Sequence, residues 1–245
     1  MNSEFVSVLA ILQNGDLAGA LSFNHTIQIW NSTDGSLKQT LKSHTYFIVC
    51  LAVLHNGNLV SGSYDKTVKI WSNSGLERTL TRHTDRVRCL AVLANTDFAS
   101  GSFDKTIIIW SSSGEYIRTL SGHVVPVVSL AVLPTGELAS GSSNETIIIW
   151  DSDGSVKKSV NAHSNSVESL VVLDNGLLAS GSFDKHVKIW DETGRLIYSH
   201  LYESHVESIG VFENGDWLVG LRNGKILILM LIYKKYDKIW KQILN

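Results

Sequence analysis

The sequence predicts an all-β chain built from repeated four-stranded units, and three observations carry that prediction. Trp30, Trp71, Trp110, Trp150 and Trp190 recur at intervals of 41, 39, 40 and 40 residues, the signature of an array of supersecondary units. Within each period the apolar residues form short runs, rich in β-branched side chains, with no 3.6-residue recurrence. Between those runs stand Asn-Gly, Ser-Gly and Asp-Lys pairs at fixed places, where a hairpin needs residues that accept positive φ.

Each element can be justified from one unit. The first strand follows a His and is the apolar run CLAVL or SLAVL; His44, His83, His123 and His163 each stand 27 residues before a repeat Trp, and Tyr202 takes that place in the sixth unit. Asn14-Gly15, Asn56-Gly57, Thr135-Gly136, Asn175-Gly176 and Asn214-Gly215 mark the turn into the second strand. The second and third strands flank an SGSxD turn, as in SGSYDKTVKIW, SGSFDKTIIIW, SGSSNETIIIW and SGSFDKHVKIW. LSFNHTIQIW is the first-unit form, and VGLRNGKILIL is a degraded sixth copy with Leu229 for Trp. A polar fourth strand completes the meander. The two prolines, Pro126 and Pro134, lie at the ends of a first strand, outside any ladder.

Composition narrows the functional classes. The 245 residues are 44% hydrophobic and carry a formal charge of −2, so net charge gives no general grip on nucleic acid or an anionic membrane. Cys50 and Cys89 are the only cysteines, which excludes a disulfide framework and a four-thiolate metal site. No metal or cofactor motif is present, and none is expected. The start, MNSEFVSVLAIL, has Glu4 where a secretory signal carries positive charge; it is read as mature structure, and an intracellular site, cytoplasmic or nuclear, is expected. The run ILILMLI, residues 226–232, is too short to cross a bilayer as a helix and reads as a buried strand.

A unit of about 40 residues with a His, an SGSxD turn and a terminal Trp-Asp resembles the WD40 repeat of β-propellers. The resemblance covers essentially the whole chain and implies four-stranded blades around a channel. Six blades are expected, with an open ring or a fragment of a seven-bladed propeller as the alternative. The propeller is placed at 1–232, with repeats at approximately 1–42, 43–82, 83–121, 122–161, 162–201 and 202–244. Residues 233–245 are a basic C-terminal segment expected to supply the closing strand, Lys238 to Leu244.

The resemblance also implies roles for the recurring polar residues. His44/Ser61/Asp65/Trp71, His83/Ser100/Asp104/Trp110, His163/Ser180/Asp184/Trp190 and, with Asn144 for Asp, His123/Ser140/Asn144/Trp150 form structural hydrogen-bonded tetrads in that family. A Ser, a His and an Asp also make a hydrolase triad, but one constellation repeated four times argues against catalysis, and no enzyme is expected. Which serine of each SGS takes part is open. Unit one has Ala20 and Asn24 at the Ser and Asp places, and unit six has Val219, Asn223, Leu229 and Tyr202, so its blade must rely on apolar packing.

Function must then come from variable positions on the repeated scaffold. The residue before the turn Asp is Phe23, Tyr64, Phe103, Ser143, Phe183 and Arg222 through the six units. Flanking an inward Val or Ile at the mouth of each first strand are Phe5 and Ser7, Phe47 and Val49, Arg86 and Arg88, Pro126 and Val128, Ser166 and Glu168, His205 and Glu207. Units one to three thus gather Phe47, Tyr64, Arg86, Arg88 and Phe103, an aromatic and cationic set suited to an acidic or phosphorylated peptide. Against this stands the reading that each ring covers its own turn and that Arg86 and Arg88 pair with Asp85 or Asp104. The expected partners are other proteins or peptides, with no small-molecule substrate, nucleic acid or membrane. The chain would act as a monomer or as a subunit of a hetero-complex, of the ubiquitin-ligase recognition type or the coat or pore type. His25, His55, His186 and His200 fall out of register as lone surface residues.

Overall fold

The computed structural model describes residues 5–212, 214–233 and 238–243. They form six antiparallel four-stranded sheets, each a meander in chain order, without a helix. The first holds β1 (Val6–Ile11), β2 (Leu17–Leu21), β3 (Thr26–Trp30) and β4 (Leu37–Lys42), the second β5 (Ile48–Val53), β6 (Leu59–Ser63), β7 (Val68–Ser72) and β8 (Gly75–Leu80). The third holds β9 (Val87–Val92), β10 (Phe98–Ser102), β11 (Thr106–Trp110) and β12 (Tyr116–Ser121), the fourth β13 (Val127–Val132), β14 (Leu138–Ser142), β15 (Thr146–Trp150) and β16 (Val156–Asn161). The fifth holds β17 (Val167–Val172), β18 (Leu178–Ser182), β19 (His186–Trp190) and β20 (Leu196–Leu201), the sixth β21 (Val206–Val211), β22 (Trp217–Leu221), β23 (Ile226–Tyr233) and β24 (Lys238–Ile243). These are the blades of a β-propeller, in two compact units, Met1–Val127 and Val128–Asn245.

The turn residues act as their chemistry requires. Between β1 and β2 the Gly15 N–H donates to Leu12 O at 2.9 Å, and Gly15 sits at φ 84°, a type I turn closed by a left-handed residue. The third blade has Thr96 at that place, at φ 76°. The Asp-Lys turn has the same form, with Lys66, Lys105 and Lys185 at φ 73°, 74° and 72°.

Close packing of neighbouring blades explains the glycine of SGS. A Cβ on Gly62 would lie 2.5 Å from Cys50 Sγ and 2.7 Å from Val87 Cγ1 in the next blade. Gly141 faces Val167, and Gly181 faces Val206, in the same way. Ile48, Val87, Val127, Val167 and Val206 are accordingly buried, whereas Val6, ahead of which the first unit has no blade, is 47% exposed.

Two expectations need correction. The run beginning at Ile226 is a strand but not a buried one: Leu227 packs into the core of the last two blades, while Ile226 and Ile228 lie on the opposite, exposed face. In the first blade the structural register puts Gly19, not Ala20, at the Ser place, since Leu17 pairs Trp30 as Leu59 pairs Trp71. The β2–β3 turn is one residue longer, which counting back from Trp30 could not reveal. Leu244 and Asn245, like Lys234 and Lys235 of the basic segment, lie outside the described residues.

Candidate functional site

Sheet pairing brings the repeated polar residues together. In the second blade β6 and β7 run antiparallel, so Ser61 and Trp71 share a face, and Trp71 Nε1 donates to Ser61 Oγ at 2.8 Å. His44, in the loop before β5, lies with Nε2 2.7 Å from the same oxygen and Nδ1 2.7 Å from Asp65 Oδ2. An indole nitrogen only donates, so the serine accepts from Trp71 and gives its proton to His44 Nε2. Nδ1 then carries the ring proton and donates to Asp65. The third blade repeats this with His83, Ser100, Asp104 and Trp110 at 2.7–2.8 Å, and the fifth with His163, Ser180, Asp184 and Trp190 at 2.7–2.8 Å. The first serine of SGS is therefore the relay member. The second serine fastens the turn instead, with Ser63 Oγ donating to Tyr46 O and accepting from Asp65 N–H.

Burial sets the electrostatics of each relay. It disfavours the charged His44 ring and outweighs the pull of Asp65, and it drives His163 down to about 4 against the pull of Asp184. Burial also works against the Asp65 charge, but hydrogen bonds from His44, Thr67 and Thr45 N–H more than offset it and hold the carboxyl well below the usual range. Asp184 is held at about 2 by the same balance, with the N–H groups of Ser164 and His186 contributing. The relays of the second and fifth blades thus hold a neutral imidazole between an ionised carboxylate and a serine. That is the hydrogen-bond order of a hydrolase triad, yet Ser61, Ser100 and Ser180 are fully buried and each oxygen already accepts from an indole. No substrate carbonyl reaches them.

The variant blades differ as their residues dictate. In the fourth, Trp150 Nε1 donates to Ser140 Oγ at 2.8 Å, and Asn144 Oδ1 accepts from Thr146 Oγ1 at 2.7 Å. His123 is buried in the first unit, and burial alone pushes it down to about 4. In the sixth, Tyr202 takes the His place within an apolar cluster of Trp217, Val219, Leu221 and Leu227. Cys50 and Cys89 are buried and free, and burial pushes the Cys50 thiol up to about 12.

The surface of the first unit carries the other constellation. Phe47 meets Tyr64 edge-on with ring centres 6.4 Å apart, and Tyr64 meets Phe103 at 6.1 Å. The Arg86 guanidinium lies 5.0 Å from the Tyr64 ring centre and 5.9 Å from that of Phe103. Arg86 is exposed, and no ion pair engages it among the described residues, whereas Arg88 is half-buried on β9. Two members escaped sequence reasoning. Tyr46, 45% exposed, packs against Phe47 at 4.7 Å and Tyr64 at 6.4 Å, and His25 packs against both Tyr46 and Phe47, at 5.7 and 5.4 Å. Tyr46 stands one residue before the position the repeat comparison singled out. Phe23 touches Phe5 at 6.0 Å, at one end of this surface; here Ser22 N–H, not that of Phe23, makes the bond to Phe5 O that Tyr64 N–H makes to Phe47 O.

The second unit spends its equivalents internally. Arg222 lies 5.4 Å from the Phe183 ring centre, but its Nε is 3.7 Å from Glu207 Oε1. His205 packs edge-on against Phe183 and binds its backbone carbonyl through Nδ1. Ser166 and Val128 are buried rather than presented.

Blades braced internally by His–Ser–Trp relays, with rings and a cation on the loops between strands, define a propeller scaffold of the WD-repeat class. A family model of the WD domain, G-beta repeat, matches residues 35–72, 74–111, 114–151 and 154–191, more than half of the sequence, and the chain belongs to the WD40 family. Each matched stretch starts at or just before the fourth strand of one blade and ends at the third strand of the next. An uncharacterized WD repeat-containing protein of Schizosaccharomyces pombe is 41% identical over 54 residues, which are 22% of this chain and 15% of that relative's length. Proteins of this family generally act as non-catalytic interaction scaffolds and typically bind other proteins.

Proposed function

We propose that the chain is a non-catalytic scaffold that takes an acidic or phosphorylated peptide segment on the aromatic face of its first unit. The observation that carries this reading is Arg86, an exposed guanidinium held against Tyr64 and Phe103 and paired with no carboxylate among the described residues. The rings orient its planar fork, and an incoming carboxylate or phosphate supplies the missing charge in bidentate fashion. Tyr46, Tyr64 and Phe47 around it are interface anchor residues by type, offering large rigid contact area. The contrast with Arg222, already paired with Glu207, favours the first unit for this role. The peptide's parent protein would decide between a recognition subunit and an assembly subunit of a larger complex.

The test is a fluorescence-polarisation titration of acidic, phosphorylated, neutral and basic peptides against the full chain and its Phe103→Ser/Arg86→Glu variant. Wild type should favour the phosphorylated and acidic peptides, and the variant, melting at nearly the same temperature, should lose at least about tenfold in affinity. Equal binding by the two proteins, or a preference for basic peptides, would contradict the proposal.

A further inference from the structure

The second unit holds a cavity of about 200 Å³ between its fourth and fifth blades, at the end carrying the glycine turns. Its walls are Leu133, Ile147, Ile149, Val160, Leu178 and Trp190, all but Val160 from the buried core of that junction. Its rim carries three carboxylates, Glu137, Asp191 and Glu192, and no cation. From outside the lining, Lys157 pairs with Glu137, and Arg195 Nε approaches Asp191 at 3.3 Å. Glu192 is exposed and makes no ion pair among the described residues.

What sets this cavity apart is its apolar lining. The residue opening the second strand of the following blade points into the core, and at two other junctions it is a large ring: Phe98 opens β10 and is fully buried, and Trp217 opens β22 within the last two blades. In the fifth blade Leu178 stands there. Val160, which pairs Ile147, likewise replaces the larger Leu80, which pairs Val68 in the second blade. Leu59 also opens the second strand of the second blade, but there the fourth strand of the preceding blade keeps the larger Leu41; between the fourth and fifth blades both positions are small, and the place a ring fills elsewhere is vacant. At the junction of the first two blades the corresponding place is a wider pocket of about 460 Å³, but its lining is polar, and the Gln13 amide is bound there to the carbonyls of Leu54 and His55 at 3.2 and 3.0 Å.

We propose that this cavity is a binding site for an apolar ring that carries a positive charge, presented by a peptide as a Trp or Phe side chain next to Lys or Arg. An apolar cavity of this size favours one ring-sized group over water, and the unpaired Glu192 at its rim selects a cationic neighbour over an anionic one. The site belongs to the second unit and reads the opposite charge to the aromatic face of the first.

The probes are tryptamine and indole-3-propionate, which share the ring and differ in charge, and a Lys-Trp-Lys peptide, each titrated into the full chain and followed by NMR and thermal unfolding. Tryptamine and the peptide should bind and raise the melting temperature, with indole-3-propionate weaker by about tenfold. Leu178→Phe should raise the melting temperature of the free protein and abolish the response. Glu192→Lys, a surface change that leaves the fold intact, should reverse the preference between the two indoles. Equal responses to both indoles, an unchanged preference in Glu192→Lys, or a Leu178→Phe protein that still binds would overturn the proposal, as would no binding of any probe at millimolar concentration. Binding of tryptamine without the peptide would also overturn it, because the ring would then not be one that a chain can present.

Discussion

His83 donates its Nδ1 proton to Asp104 across 2.7 Å, and that one bond ties the loop entering the third blade to the turn between its second and third strands. Asp104 also accepts from Thr106 Oγ1, Thr106 N–H and Thr84 N–H at 2.6 to 3.0 Å. Asp104→Ala would leave the buried His83 ring and the partly buried Thr106 donors unsatisfied and should destabilise the protein by about 1.5–3 kcal/mol. Asp104→Asn should cost less, since the fourth blade carries Asn144 there. Chemical denaturation of the two variants beside wild type checks both, and an unchanged midpoint for Asp104→Ala would remove the tetrad from the account of stability.

Acid should weaken the protein in a defined window. His163 is held at about 4 by burial, below its ordinary value of 6.5, so the unfolded chain binds more protons between those values. The stability it contributes is therefore complete above pH 6.5 and is lost as pH falls toward 4. His123, also at about 4, acts in the same direction. Asp184, held at about 2, adds a further loss only below the ordinary carboxylate range. Melting temperatures measured from about pH 8 to 3 should fall mainly between 6.5 and 4, with a shallower slope in a His163→Gln variant.

Thr96 occupies a left-handed turn position, φ 76°, that the five other blades give to Gly15, Gly57, Gly136, Gly176 and Gly215. A β-branched residue there is strained by roughly 1–2 kcal/mol. Thr96→Gly should relieve it and raise the melting temperature by a few degrees, as calorimetry would read.

Gly62→Ala should do the opposite. Its methyl group would stand 2.5 Å from Cys50 Sγ and 2.7 Å from Val87 Cγ1, closer than atoms pack. Forcing the blades apart should cost about 1–3 kcal/mol, and Gly62→Ala combined with Val87→Ala should recover part of the loss.

Much of this was legible in the residues. Periodic Trp, the SGSxD turn and glycine at left-handed positions carry the blades, while the relays were implied by the family resemblance, which left the participating serine open. What escaped depends on space rather than period. The extra residue in the first Asp-type turn moved Gly19 into the serine's place without disturbing the Trp interval much. Tyr46 lies in a loop whose aim no pattern encodes, and so its part in the ring surface emerged only from the fold. The exposed face of Ile226 and Ile228 was hidden in a uniformly apolar run, where alternation leaves no trace. The cavity beside Leu178 reflects two small truncations, visible only once the junctions are superposed in register.

The central claim, that the first unit reads negative charge through Arg86, is tested most directly by charge reversal at that residue. The affinity of one phosphorylated peptide and its basic counterpart would be measured against wild type and Arg86→Glu at low and physiological salt. Wild type should prefer the phosphorylated peptide, more strongly at low salt, and Arg86→Glu should prefer the basic one. A ranking that does not change on reversal would contradict the account.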